Sequence, residues 1–174
     1  MSIRTHSLEV ASGEEIDSKL RVRLPVSTSE QDTLYSGRIC HLGTAGDCRE
    51  GATGTDLPFV ASRGVECADV GGVAAIASGQ TGYWAASSGV DGYISCIPMR
   101  SGAVVLTTEY ITTDSYTPGA KLTCNTADGQ FRLNDNNGEQ WIYGYVVTAP
   151  ASVNYDKNRN VLKLMLAWDS PNRS

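Results

Sequence analysis

Histidines and cysteines are the first residues in this 174-residue chain whose types could do chemistry. Cys40, His41 and Cys48 together offer sulfur and imidazole donors, the ligands that zinc takes. A structural zinc site uses short paired spacings and four ligands. Here the five cysteines (Cys40, Cys48, Cys67, Cys96, Cys124) are odd in number, widely scattered and form no CxxC pair. They read as reduced, mostly buried thiols beside an incidental histidine, and no metal is expected. A serine nucleophile is suggested only by "ASSGVDG" (Ala86 to Gly92). That stretch lacks the strand–turn–helix setting that exposes such a group, and only His6 and His41 exist to serve as base. "NDNNGEQ" (Asn134 to Gln140) has calcium-type residues out of phase with the EF-hand loop and reads as a hairpin tip. "GDCREGATGTD" lacks the Lys-Ser/Thr that completes a phosphate loop. The acidic residues Glu9, Glu14, Glu15, Asp17, Asp47, Glu50, Asp69 and Glu109 are dispersed through turns and strand edges, which is the pattern of solvated charge. No catalytic, cofactor-binding or metal residue is nominated, and no enzymatic activity is expected.

Aromatic residues point to binding instead. Eight tyrosines and three tryptophans stand against two phenylalanines. Tyr and Trp join apolar area to a polar handle, which suits half-buried surfaces, interfaces and sugar platforms. Tyr83 and Trp84, set among small residues in "QTGYWAASSG", are the stretch picked for such a role. Others, among them Trp141, Tyr143 and Trp168, fall in apolar strands.

The elements that must hold these residues read as strands. "LRVRLPV" (Leu20 to Val26) alternates apolar and basic residues. "GYISCIPM" and "AVVLTTEYITT" are β-branched and aromatic around an Arg100-Ser101-Gly102 turn. "KLTCNT", "GQFRL", "WIYGYVVTA" and "VLKLMLAW" follow, with Asp128-Gly129 and Asn137-Gly138 as turns that need positive φ. Helical periodicity with caps is missing, apart from a short candidate over Val70 to Ser78. The expectation is an all-β fold, a compact barrel or sandwich of short antiparallel strands. Residues 1–19 read as an extended N-terminal arm and residues 20–174 as one β-rich domain. Within it, "LYSGRICHLGTAGDCRE" and "SYTPGAKLTCNTADGQFRL" echo one another, roughly 80 residues apart, suggesting pseudo-repeated lobes near 34–67 and 115–147.

Composition bounds the partners. The formal charge is −5 with a pI near 5.0, and no Lys/Arg block occurs, so direct contact with nucleic acid is not expected. No segment is long and apolar enough to span a bilayer as a helix, and the first residues lack the apolar run of a signal peptide, so synthesis in a cytoplasm is expected.

The run "GYISCIPMRSGAVVLTTEY…SYTPGAKLTCNTADGQFRL…WIYGYVV" resembles the C-terminal half of tailed-bacteriophage capsid decoration (cement) proteins. The likeness rests on a strand ending in Pro-apolar (Ile94 to Met99), then Thr107 to Tyr110 and Tyr116 to Leu122. The Asp128-Gly129 turn and the strands Trp141 to Val147 and Val161 to Trp168 complete it. The segment Val70 to Gly92, long and rich in small residues, departs from the pattern, as does the cysteine count. The resemblance implies a structural virion protein on the outer capsid surface, made in the host bacterial cytoplasm. It would bind the major capsid protein and itself, as a dimer or trimer, without cofactor. Ile3, Leu8, Val10 and Ile16 in the arm, with Tyr83 and Trp84, are then the candidate capsid or self-interface residues. The alternatives are a carbohydrate-binding β-module or head-fibre component, and a β-rich hydrolase.

Overall fold

The computed structural model describes residues 8–10, 21–26, 30, 34–62, 66–67, 92–135, 140–150 and 161–170. The strands are β1 (Leu8–Val10), β2 (Val22–Pro25), β3 (Ile39–Leu42), β4 (Cys48–Glu50), β5 (Pro58–Ala61) and β6 (Glu66–Cys67). They continue as β7 (Gly92–Pro98), β8 (Val104–Thr107), β9 (Lys121–Cys124), β10 (Phe131–Leu133), β11 (Ile142–Thr148) and β12 (Leu162–Asp169). A 3-10 turn, Met99–Ser101, joins β7 to β8 and ends on Gly102 at φ +68°. The chain is all-β, as its alternating segments predict.

Two antiparallel sheets form. One runs β2-β7-β5-β3-β4, with β6 also pairing β7; the other runs β1-β8-β12-β11-β9-β10. Both are open-ended among the described residues, so the barrel alternative gives way to two open sheets. The expected strand from Ala103 to Thr113 is shorter than its composition suggests. It leaves the sheet after Thr107, and Tyr110 instead bridges Phe131. In the predicted arm, Leu8–Val10 is an edge strand, registered with Leu8 opposite Thr107 and Val10 opposite Val105. The candidates Ile3, Ile16, Tyr83 and Trp84, the Asn137-Gly138 turn and the short helix over Val70 to Ser78 lie outside the described residues.

Five strands of each sheet repeat those of the other in order. Matching β2, β3, β4, β5 and β7 to β8, β9, β10, β11 and β12 turns the order β2-β7-β5-β3-β4 into β8-β12-β11-β9-β10. The register agrees as well. Val22 faces Cys96 and Cys96 faces Ala61 in the first lobe; Val105 faces Leu164 and Leu164 faces Val146 in the second. A parallel bridge closes each lobe, Val26 to Cys48 and Tyr110 to Phe131. The repeat legible in the hairpins is thus a full five-strand unit, larger than residues 34–67 and 115–147.

The lobes bury their faces differently. β12 alternates, with Leu162, Leu164 and Leu166 inward and Lys163 and Met165 outward, because one face meets water. β5 (Pro-Phe-Val-Ala) is buried at every residue. Phe59 and Ala61 enter the first lobe's own core, whereas Val60 joins Ile39, Ile97 and Met99 in a core shared with Leu122, Phe131, Tyr143 and Leu164 of the second lobe.

Candidate binding site

Three thiols meet in the first lobe. Cys40, Cys48 and Cys96 are fully buried and their sulfurs lie within 4.8 Å of one another, with Cys40 Sγ 3.8 Å from Cys96 Sγ. The thiols are buried and free, as the sequence reading has them, and His41 stands apart from them. His41 lies next to Cys40 on the strand, so its side chain leaves by the other face, and its Nδ1 sits 2.7 Å from the Gly51 carbonyl. Contact with the neighbouring thiols, together with burial, pushes the Cys40 thiol well above its ordinary pKa. The duplication explains the cluster. By register, Cys40, Cys48 and Cys96 stand where the second lobe has Leu122, Phe131 and Leu164, all fully buried. They occupy apolar core positions and act there as small hydrophobes. Three donors are also one short of a structural zinc set.

A different convergence lies where the lobes meet. A cavity of about 280 Å³ is walled by Ala52, Thr53 and Gly54 from the β4–β5 connection and by Thr123 to Thr126 of β9 and its turn. Arg132 of β10 and Gln140, Trp141 and Tyr143 at the start of β11 complete the wall. Each side chain is aimed by its element. Thr123 and Arg132 are directly opposed across the β9–β10 ladder and so share a face. Tyr143 sits at an irregularity where the β11–β12 register shifts between Ile142 and Gly144, which re-aims a side chain locally.

The turn over Thr53–Asp56 is held by one carboxylate. Asp56 Oδ2 accepts from the Thr53 N–H at 2.6 Å and from its hydroxyl at 2.7 Å. Partial burial opposes its charge, but the Thr53 hydrogen bonds prevail and hold the Asp56 carboxyl below the usual range. Gly54 is required by proximity. A Cβ there would lie 1.6 Å from the Trp141 indole nitrogen, so the Trp141 ring rests directly on the Gly54 backbone. The Trp141 and Trp168 rings also make contact, centroids 5.7 Å apart and planes tilted by 34°, and the Arg100 guanidinium covers the Trp168 ring at 4.0 Å.

Three polar groups of this wall have no protein partner. Arg132 Nε, Gln140 Oε1 and the Tyr143 hydroxyl are buried atoms that make no hydrogen bond, and Tyr143 as a residue is only 1% exposed. Trp168 Nε1, behind the Trp141 ring, is a fourth such atom. Buried polar atoms are nearly always satisfied, so three orphans on residues that line one cavity leave unmet hydrogen-bonding capacity beside it. Burial raises the Tyr143 phenol well above its ordinary pKa and pushes the Cys124 thiol up to about 12. At neutral pH both are protonated, so Tyr143 is a hydrogen-bond donor here and Cys124 is not a nucleophile.

Sequence reasoning singled out Tyr83 and Trp84 for binding and read the run from Tyr116 to Val147 as strands and turns. The latter stretch is scaffold and wall at once, since Arg132, Gln140, Trp141 and Tyr143 all come from it. Its signal was the Trp141-x-Tyr143 pair; nothing local marks Gly54 or Arg132. Compared with known proteins, the chain matches no family model, no curated protein and no solved structure.

Proposed function

We propose that this chain is a non-enzymatic structural protein of a tailed-phage virion, one that binds the outer face of the expanded capsid and stabilises it. Its partners in this reading are the major capsid protein and further copies of itself. The observation that carries it is the way Leu8–Val10 adds to the open edge of a sheet as β1, antiparallel to β8. Strand addition along an edge supplies main-chain hydrogen bonds independent of sequence, and it suits a protein that grips a lattice by an extended arm. Two further features support the reading. The segments that carry the resemblance to decoration proteins are β7, from the first lobe, and β8 to β12, the whole of the second. The duplicated lobes share a core, which gives the rigidity that a reinforcing element needs. Weak contacts repeated over an icosahedral shell add by multivalency.

The test is sedimentation of the purified protein with expanded, undecorated capsids of the cognate phage. Saturable, stoichiometric co-sedimentation and a shell more resistant to heat are expected. A variant lacking residues 2–19 is expected to stay folded and to lose attachment. Failure of the intact protein to bind such shells overturns the reading.

A further inference from the structure

We propose that the cavity between the lobes is a saccharide site that takes one pyranose ring bearing a carboxylate, a uronic-acid unit, stacked on Trp141 and paired with Arg132. The inference goes beyond the capsid reading and does not depend on it.

Three features of the cavity point to the ligand class, and its orphaned groups narrow it. The volume, about 280 Å³, lies at the small end of ligand pockets and admits a single ring. One wall includes the Trp141 indole, packed against Gly54 and Trp168. A flat aromatic held in this way suits the C–H face of a sugar. The other walls carry hydroxyl and amide groups, Thr53 among them, of the kind that read a ring's hydroxyls.

The orphans then divide by chemistry. Gln140 Oε1 is an acceptor awaiting a donor, and the protonated Tyr143 hydroxyl can donate. A sugar hydroxyl, being donor and acceptor together, satisfies either. Arg132 is different. It is a fixed cation in no ion pair among the described residues, and its Nε is buried and unbonded. A guanidinium with Nε free presents a fork that a carboxylate fills with two parallel bonds. A neutral hexose would leave that charge uncompensated beside the ring.

The probes are methyl glycosides of glucuronic, galacturonic and mannuronic acid, each beside its neutral hexose counterpart, with acetate as the carboxylate lacking a ring. They are titrated into the full-length protein and followed by tryptophan emission and saturation-transfer NMR. At least one uronide is expected to saturate in the millimolar range or tighter. Its neutral counterpart should bind about tenfold more weakly or worse, the range of a lost charge-assisted bond. Acetate should not compete. Trp141→Ala should abolish the signal, and Arg132→Gln should erase the preference for the uronide. Tyr143→Phe separates a ligand role from a structural one. Because the hydroxyl has no protein partner, its removal should leave the melting temperature unchanged or higher while weakening the uronide about three- to tenfold. Oligouronides binding more tightly than the monosaccharide would identify a polymer as the source, and equal affinity a free sugar. The proposal is overturned if no uronide saturates, if neutral hexoses bind equally, or if Trp141→Ala binds as the parent does.

Discussion

Gly54 shows how one residue without a side chain can set a binding surface. The space a Cβ would need is taken by the Trp141 indole nitrogen at 1.6 Å, far inside any tolerable contact. In Gly54→Ala either the Thr53–Asp56 turn or the ring must move. The turn is pinned by two hydrogen bonds to Asp56, so the ring is expected to yield and with it the Trp141–Trp168 contact. The expected cost is about 1–3 kcal/mol, the usual range for overpacking. A red-shifted tryptophan emission should accompany it as the ring gains solvent. An unshifted spectrum with unchanged stability would mean that Trp141 does not rest on Gly54. The same residue explains why the site was only half legible. Trp141 and Tyr143 stand out in a sequence as aromatics with polar handles. Gly54 lies far from them in the chain, among generic turn residues, and only the docking of one lobe on the other gives it meaning.

Between elements, the seam is set by Arg38, just before β3. Its Nε donates to Glu109 Oε2 at 2.9 Å, in the segment after β8, while its terminal nitrogen pairs with Glu50 of β4. The guanidinium also covers the Tyr35 ring at 4.6 Å. Backbone bonds run alongside: the Ile39 N–H donates to Gly129 O at 2.7 Å, and Gly51 N–H to Ile39 O at 2.9 Å. Gly129 is left-handed at φ +68°, and a Cβ there would lie 2.4 Å from the Ile39 carbonyl oxygen. The Asp128-Gly129 turn, legible in the sequence as hairpin chemistry, therefore also docks one lobe on the other, which no local signal announces. Arg38→Met leaves the buried Glu109 and the partly buried Glu50 without their cation and is expected to cost about 3–5 kcal/mol. The pH dependence follows from Glu50. Burial raises its pKa despite the Arg38 bonds that lower it, so its folded form already takes up a proton more readily than the unfolded chain. A carboxyl raised in this way loses stability as pH rises through the folded pKa. Without Arg38 the shift grows. The deficit of Arg38→Met should therefore shrink as pH falls from neutral toward the raised carboxyl range. A deficit below about 1 kcal/mol, or one independent of pH, would show that Arg38 is only a surface ion pair.

At the scale of the whole molecule, the two lobes share a topology but not a burial pattern, and the difference decides how the protein unfolds. Alternation along β12 and β2 made the strands legible. The unbroken "PFVA" run of β5 carried the less obvious message that the middle of the first sheet is covered on both faces. Ile39, Val60 and Ile97 put that second face into the core of the other lobe, so neither lobe completes its apolar contacts alone. Ile97 lies in the first lobe at 0% exposure, whereas Trp141 and Trp168 report on the second. Ile97→Ala, made with Trp84→Phe so that only those two rings fluoresce, should cost about 2–5 kcal/mol. If the shared core makes unfolding all-or-none, tryptophan emission and far-ultraviolet circular dichroism must move to the same lower midpoint. An emission transition that keeps its parental midpoint while the dichroism shifts would show two lobes melting independently. The shared core would then be a surface contact rather than the link that makes one folding unit of two repeats.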